Sequence, residues 1–209
     1  MSDPFALMHL MTAKLCHDIA TPLGALGLGL EMALDNDGKQ GIDKSTQDLL
    51  VTSSETAKLR LKVYRALLSA SSNSPTFPDV KQIITDLCLN SKVRPLFDIK
   101  ASMLPDGLFC RLVLGATFLV IEALHKGGAL SIHIKPSLID DSMDLMLVSE
   151  GEMVQLRPGY METLKNEQAL KDQSSRTILP FYLKMIAVQY QKKIDCELES
   201  PHKLYLTIC

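Results

Sequence analysis

The residues best suited to chemistry stand together near the start of this 209-residue chain, in the stretch Cys16-His17-Asp18-Ile19-Ala20-Thr21-Pro22-Leu23. An imidazole is a good nucleophile at neutral pH because it ordinarily titrates at about pH 6.5. One ring nitrogen can attack phosphorus while the other holds the proton, and a neighbouring carboxylate can orient the ring and balance the developing charge. The stretch predicts His17 as a phosphoacceptor, Asp18 as its orienting group and Thr21 as a weaker supporting contact.

Helical periodicity predicts that His17 faces outward. Residues 3 to about 35 predict one long helix, which opens at Asp3-Pro4 and closes near Asp35-Asn36-Asp37-Gly38. At about 100° per residue, His17 falls nearly opposite an apolar stripe and Asp18 falls on its flank. We expect the stripe to form the core of a helical bundle; its members are Met8, Met11, Leu15, Ile19, Pro22, Leu26, Leu30 and Ala33.

The side of the helix around His17 carries small and apolar residues, which is typical of a docking surface rather than of a solvated face. Pro22 removes the helical hydrogen bond to the Asp18 carbonyl and bends the helix, a costly feature that is most easily retained where geometry serves function. The weak candidates for partner contacts are Leu10, Ala13, Lys14, Gly24, Leu28 and, on the next helix, Arg65.

A second long helix is predicted from residue 43 to about 72, where Lys58, Arg60, Lys62 and Arg65 give it a basic character. A solvated face is the simpler interpretation of these charges, and contact of Arg65 or Lys62 with an acidic partner surface or a phosphoryl group is the alternative. Two long helices joined by a short turn make a hairpin that cannot bury both apolar faces alone. A homodimeric four-helix bundle through the N-terminal domain, residues 1–74, would bury them.

The pattern changes after Pro75, where helices alternate with short strands. This mixture predicts an α+β protein whose second domain, residues 75–209, is an α/β sandwich. The predicted helices are 79–91, 107–125 and 177–191, and the predicted strands are 130–135, 145–148, 194–199 and 203–208.

Composition excludes several other classes of function. A net charge of −2 argues against direct nucleic-acid binding. The five cysteines are scattered without a CxxC pair, which argues against a zinc site or a disulfide framework and favours the cytoplasm. The N-terminus lacks the pattern of a signal peptide, and no apolar run is long enough to span a membrane. We therefore expect no membrane association and no metal bound by this chain.

The stretch around His17 resembles the phosphoacceptor box of histidine kinases, H-[DE]-x-x-[TNS]-P. It is more similar still to the ChpT-type histidine phosphotransferases of alphaproteobacteria, which open with a Leu-Cys-His-Asp-x-x-x-Pro-x-Gly-Ala run; this chain has that run from Leu15 to Ala25. Further similarity covers the segments 61–65, 122–128 and 176–182. Thr21 is a minor departure, because these phosphotransferases often carry Ser there.

The resemblance implies a dimerisation and phosphotransfer hairpin followed by a kinase-like domain that has lost ATP binding. It also implies partners: the receiver domain of a hybrid histidine kinase upstream and response regulators downstream, with Mg²⁺ held by the partner receiver and no cofactor on this chain. His17 would accept the phosphoryl group, Asp18 would balance charge and Thr21 would support the group.

Two alternatives stay open. In an autophosphorylating histidine kinase the second domain would bind ATP, which in such domains requires an Asn on the Mg²⁺ helix and glycine-rich loops. Residues 112–123 contain no Asn, and the segment Val148-Ser149-Glu150-Gly151-Glu152 lacks the second glycine of the adenine-binding loop. In a non-catalytic dimeric interaction module, His17 would be an incidental surface residue.

Overall fold

The computed structural model describes residues 4–35, 42–70, 73–100, 105–138, 142–166 and 172–209. Two long helices come first, α1 (Pro4–Asp35) and α2 (Lys44–Leu68), and they pack along each other. The side chain of Asp43 accepts a hydrogen bond from the Thr46 amide at 3.0 Å, which caps the start of α2. The hairpin is therefore present as predicted, although α2 ends at Leu68, earlier than expected. Residues 36–38 of the predicted turn lie outside the described residues.

The rest of the chain forms one five-stranded sheet with helices packed on it. The strand order is β1-β2-β3-β5-β4; β1 and β2 pair in parallel, and the other neighbours are antiparallel. The mixed α+β class predicted from the sequence is confirmed. The elements are α3 (Phe77–Asn90), β1 (Val93–Ile99), α4 (Gly107–Ala123), β2 (Gly128–Pro136), β3 (Met143–Glu150), α5 (Tyr160–Lys165), α6 (Ile178–Gln189), β4 (Ile194–Ser200) and β5 (Lys203–Ile208).

Two of these elements were not predicted. Strand β1 contains Pro95, which argues against a strand in the middle of a sheet. Because β1 lies at the edge of the sheet, however, the missing amide donor of Pro95 breaks no ladder. Helix α5 has only six residues, too few for a helical period to stand out in the sequence.

Helix α6 holds the second part of the chain against α1. Ile178 and Phe181 form a buried apolar cluster with Met11, and Leu10 packs against that cluster. Tyr182 adds a hydrogen bond from its hydroxyl to the Leu67 carbonyl at 2.8 Å. The first residues of α6 therefore contact α1 at Met11, less than two helical turns before His17.

The face of α1 that points into the protomer differs from the predicted stripe. It consists of Met11, Lys14, Asp18, Pro22 and Gly29, which lie against α2 and the second part of the chain. The stripe is rotated from this face, so Met8 and Leu30 are exposed. Met11 and Pro22 belong to both sets. A single protomer does not test whether the rest of the stripe forms the core of a dimeric bundle, so that part stays a prediction.

Candidate active site

His17 projects into solvent from the middle of α1, with 74% of its side chain exposed. Its Nδ1 atom lies 3.3 Å from Oδ1 of Asp18, whose side chain is only 1% exposed. The imidazole thus stands outside the helix pair while the carboxylate that holds it lies inside. The outward position of His17 agrees with the prediction, whereas the expected place of Asp18 on the flank was wrong.

The Asp18 carboxylate is satisfied from two helices. Lys14, one turn earlier on α1, donates from Nζ to both carboxylate oxygens at 2.7 and 2.8 Å. Tyr64 on α2 donates its hydroxyl to Oδ2 at 2.5 Å. Burial by itself would raise the pKa of Asp18, but these hydrogen bonds and the charges of Lys14 and Arg60 outweigh it and hold the pKa below its usual value.

The ionised state of Asp18 determines the tautomer of His17. An ionised carboxylate only accepts hydrogen bonds, so the contact with Asp18 favours the tautomer of His17 that carries the proton on Nδ1. The other ring nitrogen, Nε2, then has a free lone pair, and the ring exposes it to solvent. An accessible ring nitrogen with a lone pair is what nucleophilic attack by an imidazole requires.

Pro22 explains why Arg60 belongs to this site. Because proline has no amide hydrogen, the helix gives the Asp18 carbonyl no donor from that position. Arg60 on α2 takes that place, donating from Nη1 to the Asp18 carbonyl oxygen at 3.1 Å, and the same atom lies 3.6 Å from Asp18 Oδ1. The cost of proline inside α1 is thus partly offset by a contact that also fixes Asp18.

Arg60 was expected only as one charge of a solvated face, and Tyr64 was not proposed for the site. The available signal was the carbonyl orphaned by Pro22, which requires a donor from elsewhere. Lys62 instead forms an ion pair with Asp86 at 3.4 Å, and Arg65 lines a separate shallow groove with residues such as Leu61. The structure does not bring either residue to His17.

The other predicted site residues are divided between surface and interior. Thr21 is exposed, and its hydroxyl donates to the His17 carbonyl at 3.3 Å. Lys14 is buried beneath His17, because its ammonium group neutralises Asp18, so its expected role on the docking surface was wrong. Leu10 is partly covered by α6, which removes part of its expected docking surface. The predicted docking residues that remain exposed are Ala13, Gly24, Leu28 and Arg65.

A second layer of charge comes from α4 and the segment after β3. Glu122 accepts a hydrogen bond from Arg157 at 2.8 Å and lies 3.9 Å from Arg60, while the Tyr160 hydroxyl is buried nearby without a hydrogen-bond partner among the described residues. Burial raises the pKa of Glu122, although the Arg157 charge opposes that rise. No motif or periodicity in the sequence points to Glu122, Arg157 or Tyr160 as part of the site.

Above His17 the two parts of the chain enclose an open cleft of about 440 Å³. Its lining combines both parts: Lys14 and His17 come from α1, while Arg157, Pro158, Ser175 and Arg176 come from the second part. The cleft contains three cationic side chains and no carboxylate at its described surface. Lys14 and Arg157 are paired with Asp18 and Glu122. Arg176 is therefore the cation of this lining that most favours an anionic group next to His17.

Other kinds of site find no support in the described part of the chain. No group of three or more His, Cys, Asp or Glu residues there could hold a metal ion. All five cysteines are free thiols, and Cys88, Cys110 and Cys196 are buried. None of the described helices combines the length and apolar character needed to cross a bilayer.

Comparison with known proteins decides the family. The model of the histidine phosphotransferase C-terminal domain family matches residues 77–201, which is more than half of the chain. The chain belongs to the histidine phosphotransferase family. The protein phosphotransferase ChpT of Brucella abortus (strain 2308) is 23% identical over 189 residues, which cover 89% of this chain and 87% of that protein. The ChpT-type resemblance and the phosphotransferase class are therefore confirmed.

Solved structures show the same fold. A bacterial phosphotransferase determined at 1.7 Å superposes with a TM-score of 0.81 at 21% identity, covering 100% of this chain and 98% of that one. The Acinetobacter baumannii histidine kinase AdeS superposes with a TM-score of 0.51 at 18% identity, covering 92% and 95%. The histidine phosphotransferase family and a histidine kinase thus share this architecture of a helical hairpin followed by a mixed sheet.

Removal of the Asp18 charge is expected to destabilise the protein. Asp18→Asn leaves the Lys14 ammonium group buried without its counterion, which costs about 3–5 kcal/mol in the free energy of unfolding. The double variant Lys14→Met/Asp18→Leu replaces the pair by apolar groups and is expected to lose less. Urea unfolding at pH 7 of the wild type and both variants measures the difference; equal losses in the two variants would contradict the ion-pair account.

The difference in the free energy of unfolding between the wild type and Asp18→Asn is also expected to depend on pH. Since the folded-state pKa of Asp18 is lowered, its stabilising contribution is fully present above the unfolded pKa of about 3.9 and is lost as the pH falls through the folded value. The stability gap between the wild type and Asp18→Asn should stay constant from pH 5 to 7, within a few tenths of a kcal/mol, and shrink below about pH 4. If the stability difference narrowed between pH 7 and 5, it would have to come from a titrating group other than Asp18.

Proposed function

We propose that His17 carries a phosphoryl group in a phosphorelay, accepting it from the phosphoaspartate of a receiver domain and passing it to a response regulator. The observation that carries this proposal is the hydrogen bond between Nδ1 of an exposed imidazole and a buried, ionised carboxylate. Family membership supports the phosphotransferase class, and the geometry supports His17 as the group that carries the phosphate.

In the forward step the Nε2 lone pair of His17 attacks the phosphorus of the acyl phosphate. A nitrogen–phosphorus bond forms, the bond from phosphorus to the aspartate oxygen breaks, and the receiver aspartate leaves as a carboxylate. The proton on Nδ1 stays in place, and Asp18 balances the positive charge that the phosphorylated ring acquires. In the return step a second receiver aspartate attacks phosphorus, and the bonding electrons return to Nε2.

Most of the remaining chemistry would come from the partner. Phosphoryl transfer depends chiefly on positioning and on neutralising the charge of the equatorial oxygens, and Mg²⁺ held by the receiver domain would supply part of that charge. A receiver would dock along α1 beyond His17, where Thr21, Gly24 and Leu28 are exposed. A Cβ atom at Gly24 would meet nothing within 4 Å, so this glycine leaves space for the close approach of a partner.

We also propose that the chain forms a homodimer. Apolar side chains lie exposed or half-exposed along the face of α1 that points away from His17, among them Met8, Leu15, Ile19, Leu26 and Leu30. On α2 the exposed Leu61 and Leu68 continue this surface beside Leu15. Pairing of two such hairpins as a four-helix bundle would cover these side chains and leave both His17 residues accessible.

ATP-dependent autophosphorylation is not part of the proposal. Helix α4, which would carry the Mg²⁺-binding Asn of a kinase, contains no Asn. Near its end Glu122 is engaged by Arg157 and lies beside Arg60. This charge network would have to break to admit a metal-bound triphosphate at the end of α4.

The transfer proposal predicts a specific label. The purified protein is mixed with a radiolabelled phospho-receiver domain, and acid-labile, alkali-stable label should appear on the wild type and be absent from His17→Ala. His9→Ala serves as the matched control because His9 is also exposed on α1, and it should accept label as the wild type does. Incubation with radiolabelled ATP alone should label none of these proteins.

Three results would contradict the proposal. Label on His17→Ala would show that another residue accepts the phosphoryl group. Label from ATP alone would support the kinase alternative. A wild type that stays unlabelled with several receivers would support a non-catalytic interaction module.

The homodimer has a separate test. Ile19→Glu/Leu26→Glu places two charges on the proposed dimer face, and light scattering should change from a dimeric to a monomeric mass. Leu198→Glu adds a charge at an exposed leucine on β4 and should leave the mass unchanged. A monomeric wild type, or a dimer that survives both charges, would contradict this dimer face.

A further inference from the structure

The cleft above His17 has more positive charge than the resting histidine requires. Lys14, Arg157 and Arg176 all line it, yet His17 presents no negative charge of its own. Two of the three cations already have counterions: Lys14 is paired with Asp18 at 2.7 Å, and Arg157 with Glu122 at 2.8 Å. Arg176 differs, because its guanidinium group makes no hydrogen bond or ion pair with any residue in the described ranges.

The position of Arg176 is set by the turn that begins α6. The Ser174 amide donates to the Thr177 hydroxyl oxygen at 3.1 Å, and the Arg176 amide donates to the Ser174 hydroxyl oxygen at 3.3 Å. The next residues, Ile178 and Phe181, are buried against Met11 on α1. The backbone of Arg176 is therefore anchored to the same helix that carries His17, while its side chain stays exposed at the mouth of the cleft.

The charge and position of Arg176 fit a phosphoryl group bound to His17. A phosphoryl group on Nε2 of His17 would extend from the exposed side of the ring, where the cleft opens. A guanidinium group presents paired donors that match phosphate oxygens, and arginine is the side chain best suited to that contact. Arg176 would need no partner before phosphorylation and would gain one afterwards.

We propose that Arg176 binds the phosphoryl group carried by His17, so that the second part of the chain completes the phosphohistidine site within one protomer. This inference rests on the proposed function and adds to it a residue from outside the helical hairpin. Arg176 forms or breaks no covalent bond; it neutralises charge on the phosphoryl oxygens and fixes their orientation. The receiver therefore meets a phosphoryl group that is already held by this chain.

The test uses a small phosphoryl donor, so that no receiver takes part. The full-length wild type, Arg176→Ala, Arg176→Lys and the control Arg94→Ala, which removes an exposed arginine from β1, are labelled with phosphoramidate. The phosphorus-31 NMR signal of phosphohistidine is then titrated with pH. His17→Ala should give no such signal, which assigns it to His17.

A nearby cation lowers the pKa of a phosphoryl group, so Arg176→Ala should raise the titration midpoint by about 0.5–1 pH unit. Arg94→Ala should match the wild type, and Arg176→Lys should lie between them. In transfer to a receiver, Arg176→Ala should lower kcat about tenfold and change KM less than twofold, because the contact orients the reacting group rather than the partner.

Unchanged midpoints in Arg176→Ala would overturn the inference. A raised KM with unchanged kcat and an unchanged midpoint would also overturn it, because Arg176 would then contact the receiver surface instead. Failure of the wild type to exchange phosphate with any receiver, while phosphoramidate still labels His17, would overturn the proposed function and leave the NMR comparison to decide on Arg176 separately.

Discussion

The buried carboxylate of Asp18 is the constraint around which this site is built. Burial of an isolated charge is costly, and the structure offsets that cost with an ammonium group, a tyrosine hydroxyl and a guanidinium group from Lys14, Tyr64 and Arg60. Since these contacts keep Asp18 ionised, it can only accept the Nδ1 proton of His17. The orientation and tautomer of the exposed imidazole therefore follow from interactions inside the protein.

The second part of the chain contacts the surroundings of Asp18 and His17 in two ways. Glu122 in the second part lies beside Arg60 of α2 and forms an ion pair with Arg157, so positive and negative side chains alternate from α2 into the second part. Helix α6 anchors on Met11 above the histidine. A domain related in fold to that of a histidine kinase thereby places charge beside His17, and its α4 contains no Asn.

Much of this arrangement follows from local sequence signals, and the rest depends on distant contacts. Helical periodicity and the phosphoacceptor box were sufficient to find the hairpin and the exposed His17. They could not show that Asp18 and Lys14 are buried, because that depends on which side of α1 meets α2. Arg60 escaped notice for the same reason: its contact with the Asp18 carbonyl spans 42 residues of sequence. Strand β1 was missed because Pro95 is tolerated only at a sheet edge, and the edge is a property of the whole sheet.

The central claim is most directly tested by the protonation of the His17 ring. Nitrogen-15 NMR with long-range proton correlation distinguishes a hydrogen on Nδ1 from one on Nε2 in the unphosphorylated protein. The account predicts that His17 is mainly the Nδ1–H tautomer in the wild type and that this preference is lost in Asp18→Asn. A wild-type ring that carries its hydrogen mainly on Nε2 would contradict the account, because the proposed attack by Nε2 requires a lone pair on that nitrogen.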